Sequence, residues 1–267
     1  MPPLIGDEER RVNRTPAGGS VFGLAIDAED ALLEYLETFY HLGIAGKALD
    51  RFGAIDFATS IAPGLRDVLL TGKVYEAVRR KSKNRKNPYD AVVVDAPPTG
   101  RISAFLNVHQ AVSGLARMGP IRNQADSIMT MLRSDDTVVH LVTLLEEMPV
   151  TETQEAVAGL RPTRIKVATV IENMVVPSPL DDAQLAAAAA AEQIIQIPGW
   201  PAKQNEALTA EFAVEASRNL QQRSRHERLR DLSVPLAQIE FDPTGIDTGA
   251  LHAIADQLSE QLDLDAA

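Results

Sequence analysis

Apolar runs of strand length alternate along the chain with stretches of helical periodicity, and this alternation restricts the fold more than any other feature. Buried strands are predicted at residues 91–94, 137–143, 165–171 and 236–241. Helices are predicted at about 101–116, 121–132, 151–160, 182–193, 203–231 and 247–262. Such an alternation is typical of parallel βαβ units, whose strands are covered on both faces and are therefore apolar throughout. The sequence predicts an α/β fold with a mostly parallel sheet flanked by helices.

The first part of the chain has a different pattern. Residues 1–20 are polar and predict a loop, and residues 21–26 predict a short strand. Apolar residues at helical spacing predict helices at 28–49 and 65–78. We expect one domain over residues 1–267, in which the segments around 28–83 and 101–135 form a helical subdomain or insertion.

Composition excludes several classes of protein. The chain has 26 Lys and Arg against 37 Asp and Glu, a net charge of −11, which argues against general binding of nucleic acid because phosphate backbones are held by clustered basic residues. There is no cysteine, so disulfides and thiolate metal sites are excluded and the cytosol is the default compartment. We also expect no transmembrane segment, because no stretch reaches the ~18–20 uncharged apolar residues that one requires.

The stretch YDAVVVDAPPTGRISAFL, residues 89–106, indicates a nucleotide-phosphate site. Asp95 follows an apolar run, at the carboxyl end of a predicted parallel strand, where ligands of such sheets bind. Its carboxylate suits Mg²⁺ held through water beside phosphates. Pro98 stiffens the turn, Thr99 adds a hydroxyl, and Gly100 lets its backbone N–H approach an anion at the start of a helix. The alternative is a turn that only caps that helix.

This stretch resembles the switch II segment of the arsenical pump-driving and tail-anchored-protein-targeting ATPases, in which an apolar strand leads into Asp-Thr-Ala-Pro-Thr-Gly-His and a helix. The residues that match are Asp95, Pro98, Thr99 and Gly100. Three positions differ from the family pattern, with Ala96, Pro97 and Arg101 in place of Thr, Ala and His. The resemblance implies a P-loop-NTPase-like fold with ATP and Mg²⁺ as cofactors, and Asp95 as the residue that holds Mg²⁺ through water.

Three further segments support the resemblance, which covers most of residues 20–260 and is closest to divergent actinobacterial members. Residues 62–67 resemble the family's Pro-Gly-x-x-Glu segment, with Asp67 for the glutamate, and residues 141–160 resemble its Pro-Glu loop and following helix. Residues 170–173 resemble the strand whose terminal asparagine contacts adenine, which implies that role for Asn173. A turn or cap asparagine is the alternative.

The family's phosphate-binding loop, Gly-Lys-Gly-Gly-x-Gly-Lys-Ser/Thr, is not found in the sequence. The nearest candidates, at residues 17–20 and 70–74, lack its lysines or glycines and follow no apolar strand. We expect the first strand–loop–helix unit to lie before residue 1 or to have been lost. No intact catalytic set then remains, and we expect this chain alone to bind ATP poorly or not at all.

These features leave three hypotheses. The first is an ATP-binding and ATP-hydrolysing switch with a protein-targeting or chaperone-like role, since arsenite transport is disfavoured by the absence of cysteine. It implies a homodimer or a heterodimer with a paralogous ATPase, and a client protein. The second is a non-catalytic, degenerate subunit that pairs with a complete paralogous ATPase. The third is an unrelated α/β binding domain.

Three charged segments are not assigned to the nucleotide site. The basic run at 79–86 is interpreted as a solvated loop, with peripheral contact to anionic lipid or an acidic partner as the alternative. Glu146, Glu147 and Glu152 are interpreted as part of a solvated loop. The arginine-rich stretch 218–230 is interpreted as an exposed helix, with an arginine near the nucleotide as the alternative. His226, within that stretch, shows no metal-ligand spacing with acidic residues.

Overall fold

A computed structural model describes residues 9–14, 18–27, 30–31, 63–79, 89–108, 120–192 and 194–262. The chain divides into two compact units, Met1–Thr137 and Val138–Ala267, which are described one at a time. The predicted helix at 28–49 and the basic run at 79–86 lie almost entirely outside the described residues.

The first unit begins with a small antiparallel hairpin. Strand β1 (Arg10–Arg14) pairs with strand β2 (Ser20–Gly23), with Arg10 opposite Gly23. The prediction of a loop over residues 1–20 is wrong for β1, and β2 confirms a short strand near the predicted place. The sequence could not show β1, because its residues RRVNR have no apolar alternation and are mostly exposed, so pairing with β2 rather than burial defines the strand.

The described part of the first unit also contains the helices α1 (Pro63–Arg79), α2 (Thr99–Leu106) and α3 (Pro120–Leu132). Helix α1 packs against both others. The side chains buried among them are Val68, Leu69, Ile102, Phe105, Ile128 and Met129. At about 1.5–3 kcal/mol for each fully buried apolar side chain, these contacts stabilise the helical packing. At Gly72, an added Cβ would lie 2.6 Å from Gln124 Nε2, so the Gln124 side chain occupies the space that the glycine leaves between α1 and α3.

The predicted buried strand at residues 91–94 is not present. These residues form no strand, and the side chains of Val92, Val93 and Val94 are 38%, 94% and 43% exposed. A strand requires hydrogen bonds to a neighbour, and among the described residues no strand pairs with this run. An apolar run predicts burial only if the fold supplies that neighbour.

The second unit contains the predicted parallel sheet. Strands β3 (Val139–Leu144), β4 (Val167–Val175) and β5 (Leu236–Glu240) lie parallel in the order β3-β4-β5. Its helices are α4 (Glu147–Leu160), α5 (Asp182–Ala189), α6 (Ala202–Arg230) and α7 (Thr248–Gln261). The α/β fold with a parallel sheet flanked by helices is confirmed.

Local sequence explains how this unit forms. Helix α4 buries Val150, Val157 and Leu160 on one stripe, as the helical period requires. It ends in the 3-10 turn Arg161–Thr163, which leads into β4. Helix α5 starts with a capping box, in which the Asp181 side chain accepts from the Gln184 backbone and the Gln184 side chain accepts in return. Because the strands are paired in parallel, the carboxyl ends of β3, β4 and β5 lie along one edge of the sheet.

Candidate functional site

The predicted phosphate-side residues share one exposed turn in the first unit. Helix α2 begins at Thr99, with Pro98 as its N-cap and no side chain capping its backbone. The Arg101 N–H donates to the Pro98 carbonyl over 2.8 Å, which closes the first turn. Gly100 is exposed in that turn, and Asp95 is exposed just ahead of it. The first N–H groups of a helix have no intrahelical acceptor and carry partial positive charge, so this end of α2 is suited to an anion.

An ion pair joins this turn to helix α1. Arg101 Nη2 lies 3.7 Å from Asp67 Oδ1, and Asp67 is almost fully buried on α1. Burial raises the pKa of Asp67, and the charges of Arg101 and Arg66 oppose that rise. The two sequence segments that resemble the ATPase family, at 62–67 and 89–106, therefore contact each other. The sequence pointed to both segments but not to this contact.

Asn173 lies near the carboxyl end of β4 in the second unit, two residues before the strand ends at Val175 rather than at its last residue as predicted. It is the last residue of β4 that pairs with β3, opposite Leu144. The register shifts where β4 pairs with β5. Glu172 lies opposite Gln238 and Val175 opposite Glu240, so β4 has one residue more than β5 between the two pairs. The β4 bulge, which we define as Asn173 and Met174, contains this extra residue. Asn173 therefore lies on an irregular strand end rather than on a regular one.

A buried carboxylate precedes the bulge. Glu172 is 0% exposed, and its two oxygens lie 2.8 Å and 2.9 Å from His226 Nδ1. Gln238 Nε2 donates to the same carboxylate over 2.6 Å. The sequence did not suggest this cluster, because it joins two strands and α6 through register and packing. The only available signal was an acidic residue within an otherwise apolar strand.

The arginines of α6 stabilise the loops at this edge. Arg225 Nη1 donates to the Leu145 carbonyl over 3.2 Å, and Arg223 donates to the Leu180 carbonyl and contacts Asp182. The interpretation of 218–230 as an exposed helix agrees with Arg218 and Arg230, which are 61% and 62% exposed, but Arg223 and Arg225 also bind loop carbonyls. They fix the backbone that follows β3 and β4, which the helical pattern alone does not reveal.

Glu147 belongs to the same network. It lies in the first turn of α4, where Arg228 Nη1 contacts it at 2.7 Å and Arg225 Nε at 3.6 Å. The hydrogen bond from Arg228 is the main cause that lowers the pKa of Glu147. The interpretation of Glu147 as part of a loop is wrong, because it is the first residue of helix α4, but its side chain is solvated at 65% exposure as well as paired.

The predicted site residues thus fall into two groups. Asp95, Pro98, Thr99 and Gly100 lie in the first unit, and Asn173 lies in the second. In the described parts of both units, no group of three or more His, Asp or Glu side chains is placed to hold a metal ion. A single carboxylate still fits Mg²⁺, which keeps most of its waters and binds through one or two carboxylates and the phosphates of a nucleotide. Across the same residues, no helix is long and apolar enough to cross a membrane.

The chain is similar to mycobacterial proteins over nearly its whole length. ATPase BagA of Mycobacterium tuberculosis (strain H37Rv) is 43% identical over 270 residues, which cover 98% of this chain and 79% of the relative. The Mycobacterium bovis protein Mb3704, which carries a provisional ATPase name, matches with the same identity and coverage. No protein-family model matches the chain.

Proposed function

The chain belongs to the ATPase family of these mycobacterial relatives, and we propose that it acts as an ATP-dependent nucleotide switch. The observation that carries the proposal is the turn from Asp95 to Arg101. It presents an exposed carboxylate ahead of a helix N-terminus, and an ion pair to α1 holds the first turn of that helix. A terminal phosphate that binds there would be sensed directly by α2.

Each residue of the turn has a separate role in this proposal. Asp95 holds Mg²⁺ through water, and the bound Mg²⁺ neutralises phosphate charge. The Thr99 hydroxyl and the Gly100 N–H donate to phosphate oxygens, and Pro98 keeps the turn rigid. In the second unit, Asn173 contacts the adenine with its amide, which offers both a donor and an acceptor.

The resemblance to targeting ATPases is the basis of our proposal for the biological role. We propose protein targeting or a chaperone-like activity, with a client protein and with a homodimer or a heterodimer with a paralogous ATPase as the working assembly. Arsenite transport is disfavoured, because the sequence has no cysteine to bind a metalloid. Peripheral contact with a membrane through residues 79–86 stays a prediction.

A second candidate is a non-catalytic subunit that pairs with a complete paralogous ATPase. The observation that favours it is that neither glycine-containing candidate segment, at 17–20 or 70–74, has the composition of a phosphate-binding loop. In that case the Asp95 turn contributes to a nucleotide site whose loop comes from elsewhere.

The test measures Mg-ATP affinity by calorimetry and ATP turnover, for the chain alone and mixed with a loop-containing paralogue. The variant is Asp95→Asn, and the matched control is Asp90→Asn, an exposed aspartate at the other end of the same apolar run. An active switch loses turnover with Asp95→Asn but not with Asp90→Asn. A non-catalytic subunit shows no turnover alone, elutes with the paralogue and changes its rate in an Asp95-dependent way. Equal behaviour of the two variants in every assembly contradicts both candidates.

A further inference from the structure

The β4 bulge contains a costly backbone conformation. Met174 has φ 57°, in the left-handed region that residues with a Cβ adopt rarely, and its side chain is 48% exposed. Burial of Met174 therefore does not explain the conformation. Such a backbone persists only if the surrounding structure fixes it, and it is concentrated at sites that bind ligands.

Two contacts from one helix hold the chain on either side of the bulge. Before it, His226 Nδ1 binds the Glu172 carboxylate at 2.8 Å. After it, the Val176 N–H donates to Gln222 Oε1 over 3.4 Å. His226 and Gln222 are four residues apart on α6 and therefore lie on the same face of the helix. Helix α6 thus anchors both ends of the segment that contains the bulge.

Strand β5 and the residue that follows it, Phe241, make the remaining contacts. Gln238 Nε2 donates to Glu172 Oε2, and the Phe241 N–H donates to the Val175 carbonyl over 2.9 Å. Because Glu172 is completely buried, its charge is tolerated only with such donors. We refer to Glu172, His226, Gln238 and Gln222 as the anchor residues.

We propose that the anchor residues are positioning residues, which hold the β4 bulge in the conformation that lets it recognise the purine base of the nucleotide. This inference rests on the proposed function. Asn173 reads the hydrogen-bonding edge of the base with its amide, and the exposed Met174 thioether packs against the face of the ring. Base preference, and not only affinity, then depends on side chains of α6 and β5 that do not touch the ligand.

The first test needs no nucleotide. Hydrogen exchange is measured at the backbone amides of residues 173–176 in Glu172→Gln, which keeps the side-chain shape, and in Gln222→Leu, which removes the second anchor without burying a charge. We expect exchange to rise about tenfold in Glu172→Gln, as loss of a charge-assisted hydrogen bond implies, and by a smaller factor in Gln222→Leu, because the hydrogen bond that it removes is neutral and long. The control is His252→Gln, an exposed histidine of α7 that contacts the Thr248 carbonyl. Unchanged exchange in both anchor variants overturns the proposal.

The second test compares the affinities for Mg-ATP and Mg-GTP in whichever assembly binds nucleotide. Glycine adopts the left-handed region readily, whereas a β-branched residue does not. Met174→Gly therefore retains the Asn173-dependent preference between the two bases and loses affinity only, whereas Met174→Val and Glu172→Gln lose the preference itself. Equal ATP-to-GTP ratios in all variants and the wild type overturn the recognition role.

The outcomes separate the two proposals. A wild-type chain that binds neither nucleotide, alone or with a paralogue, overturns the proposed function and with it the assignment of the base. The exchange measurement then still decides whether the anchor residues hold the bulge.

Discussion

Residues 91–95 and strand β4 are similar in sequence but different in structure. Each is an apolar run that ends in polar residues, Val-Val-Val-Asp in one and Val-Ile-Glu-Asn in the other. Strand β4 has a hydrogen-bonded neighbour on each side, and Val170 is fully buried, whereas Val93 is 94% exposed. The comparison teaches that an apolar run specifies a strand only together with its neighbours. The polar end of β4 is fixed by packing, and the Asp95 turn is held by helix α2 and one ion pair.

The largest expected difference in the free energy of unfolding is between variants of Glu172 and Asp95, the acidic residues that follow the two apolar runs. Glu172→Ala leaves the His226 and Gln238 groups without their acceptor and opens a buried space, so we expect a loss of about 3 kcal/mol in the free energy of unfolding. Asp95→Ala changes an exposed side chain and should stay within about 0.5 kcal/mol. Urea denaturation of the two variants measures the contrast. Equal losses would show that the two ends are supported alike.

The apolar positions offer a second, smaller contrast. Val170→Ala removes two methyl groups from a fully buried site and should cost about 2 kcal/mol, whereas Val93→Ala should change the free energy of unfolding by less than about 0.5 kcal/mol. Urea denaturation measures both variants, and the substitution is Val→Ala at both positions. A large loss in Val93→Ala would mean that residues 91–94 are covered in solution.

A third change tests the ion pair that holds the Asp95 turn. Arg101→Ala removes the partner of Asp67, and because the arginine is mostly exposed we expect a loss of only about 0.5 kcal/mol. The pKa of Asp67 should rise further, because one of the charges that oppose the rise is removed. A carboxyl titration by NMR measures it, and Arg79→Ala, at the end of the same helix α1, is the control. A lowered or unchanged Asp67 pKa contradicts the pairing.

The smallest expected effect is an opposite response to pH. Asp67 has a pKa raised above its ordinary value of 3.8, so its contribution favours folding at low pH and is lost as pH rises through the raised value. Glu147 has a pKa lowered below its ordinary value of 4.5, so its contribution is present above that value and is lost as pH falls through the lowered one. Asp67→Asn and Glu147→Gln should each remove one of these dependences. Hydrogen exchange of α1 and α4 against pH measures them separately, and the same trend in both helices would contradict the assignment.

Much of the fold was predictable from local patterns. The strands β3, β4 and β5 and the helix α4 follow from apolar runs and helical periodicity, and each has partners that the pattern assumes. Strand β1 was missed because RRVNR carries no such pattern, and residues 91–94 were mispredicted because the pattern does not report the absence of a neighbour.

The candidate site was predictable only in part. The positions of Thr99 at a helix start and of Asn173 near a strand end follow from short motifs. The Asp67–Arg101 pair, the Glu172–His226–Gln238 cluster and the Met174 backbone join segments that are far apart in sequence or depend on strand register. Such contacts are products of the tertiary structure, and no local pattern encodes them.

The central claim is that the Asp95 turn senses the terminal phosphate of ATP. The most direct measurement is hydrogen exchange at the amides of residues 99–101 with saturating Mg-ATP analogue and with Mg-ADP, in the assembly that binds nucleotide. The account predicts protection with the triphosphate that is weaker or absent with the diphosphate, and that disappears in Asp95→Asn but not in Asp90→Asn. Equal protection with the two nucleotides, or protection that survives Asp95→Asn, would contradict it.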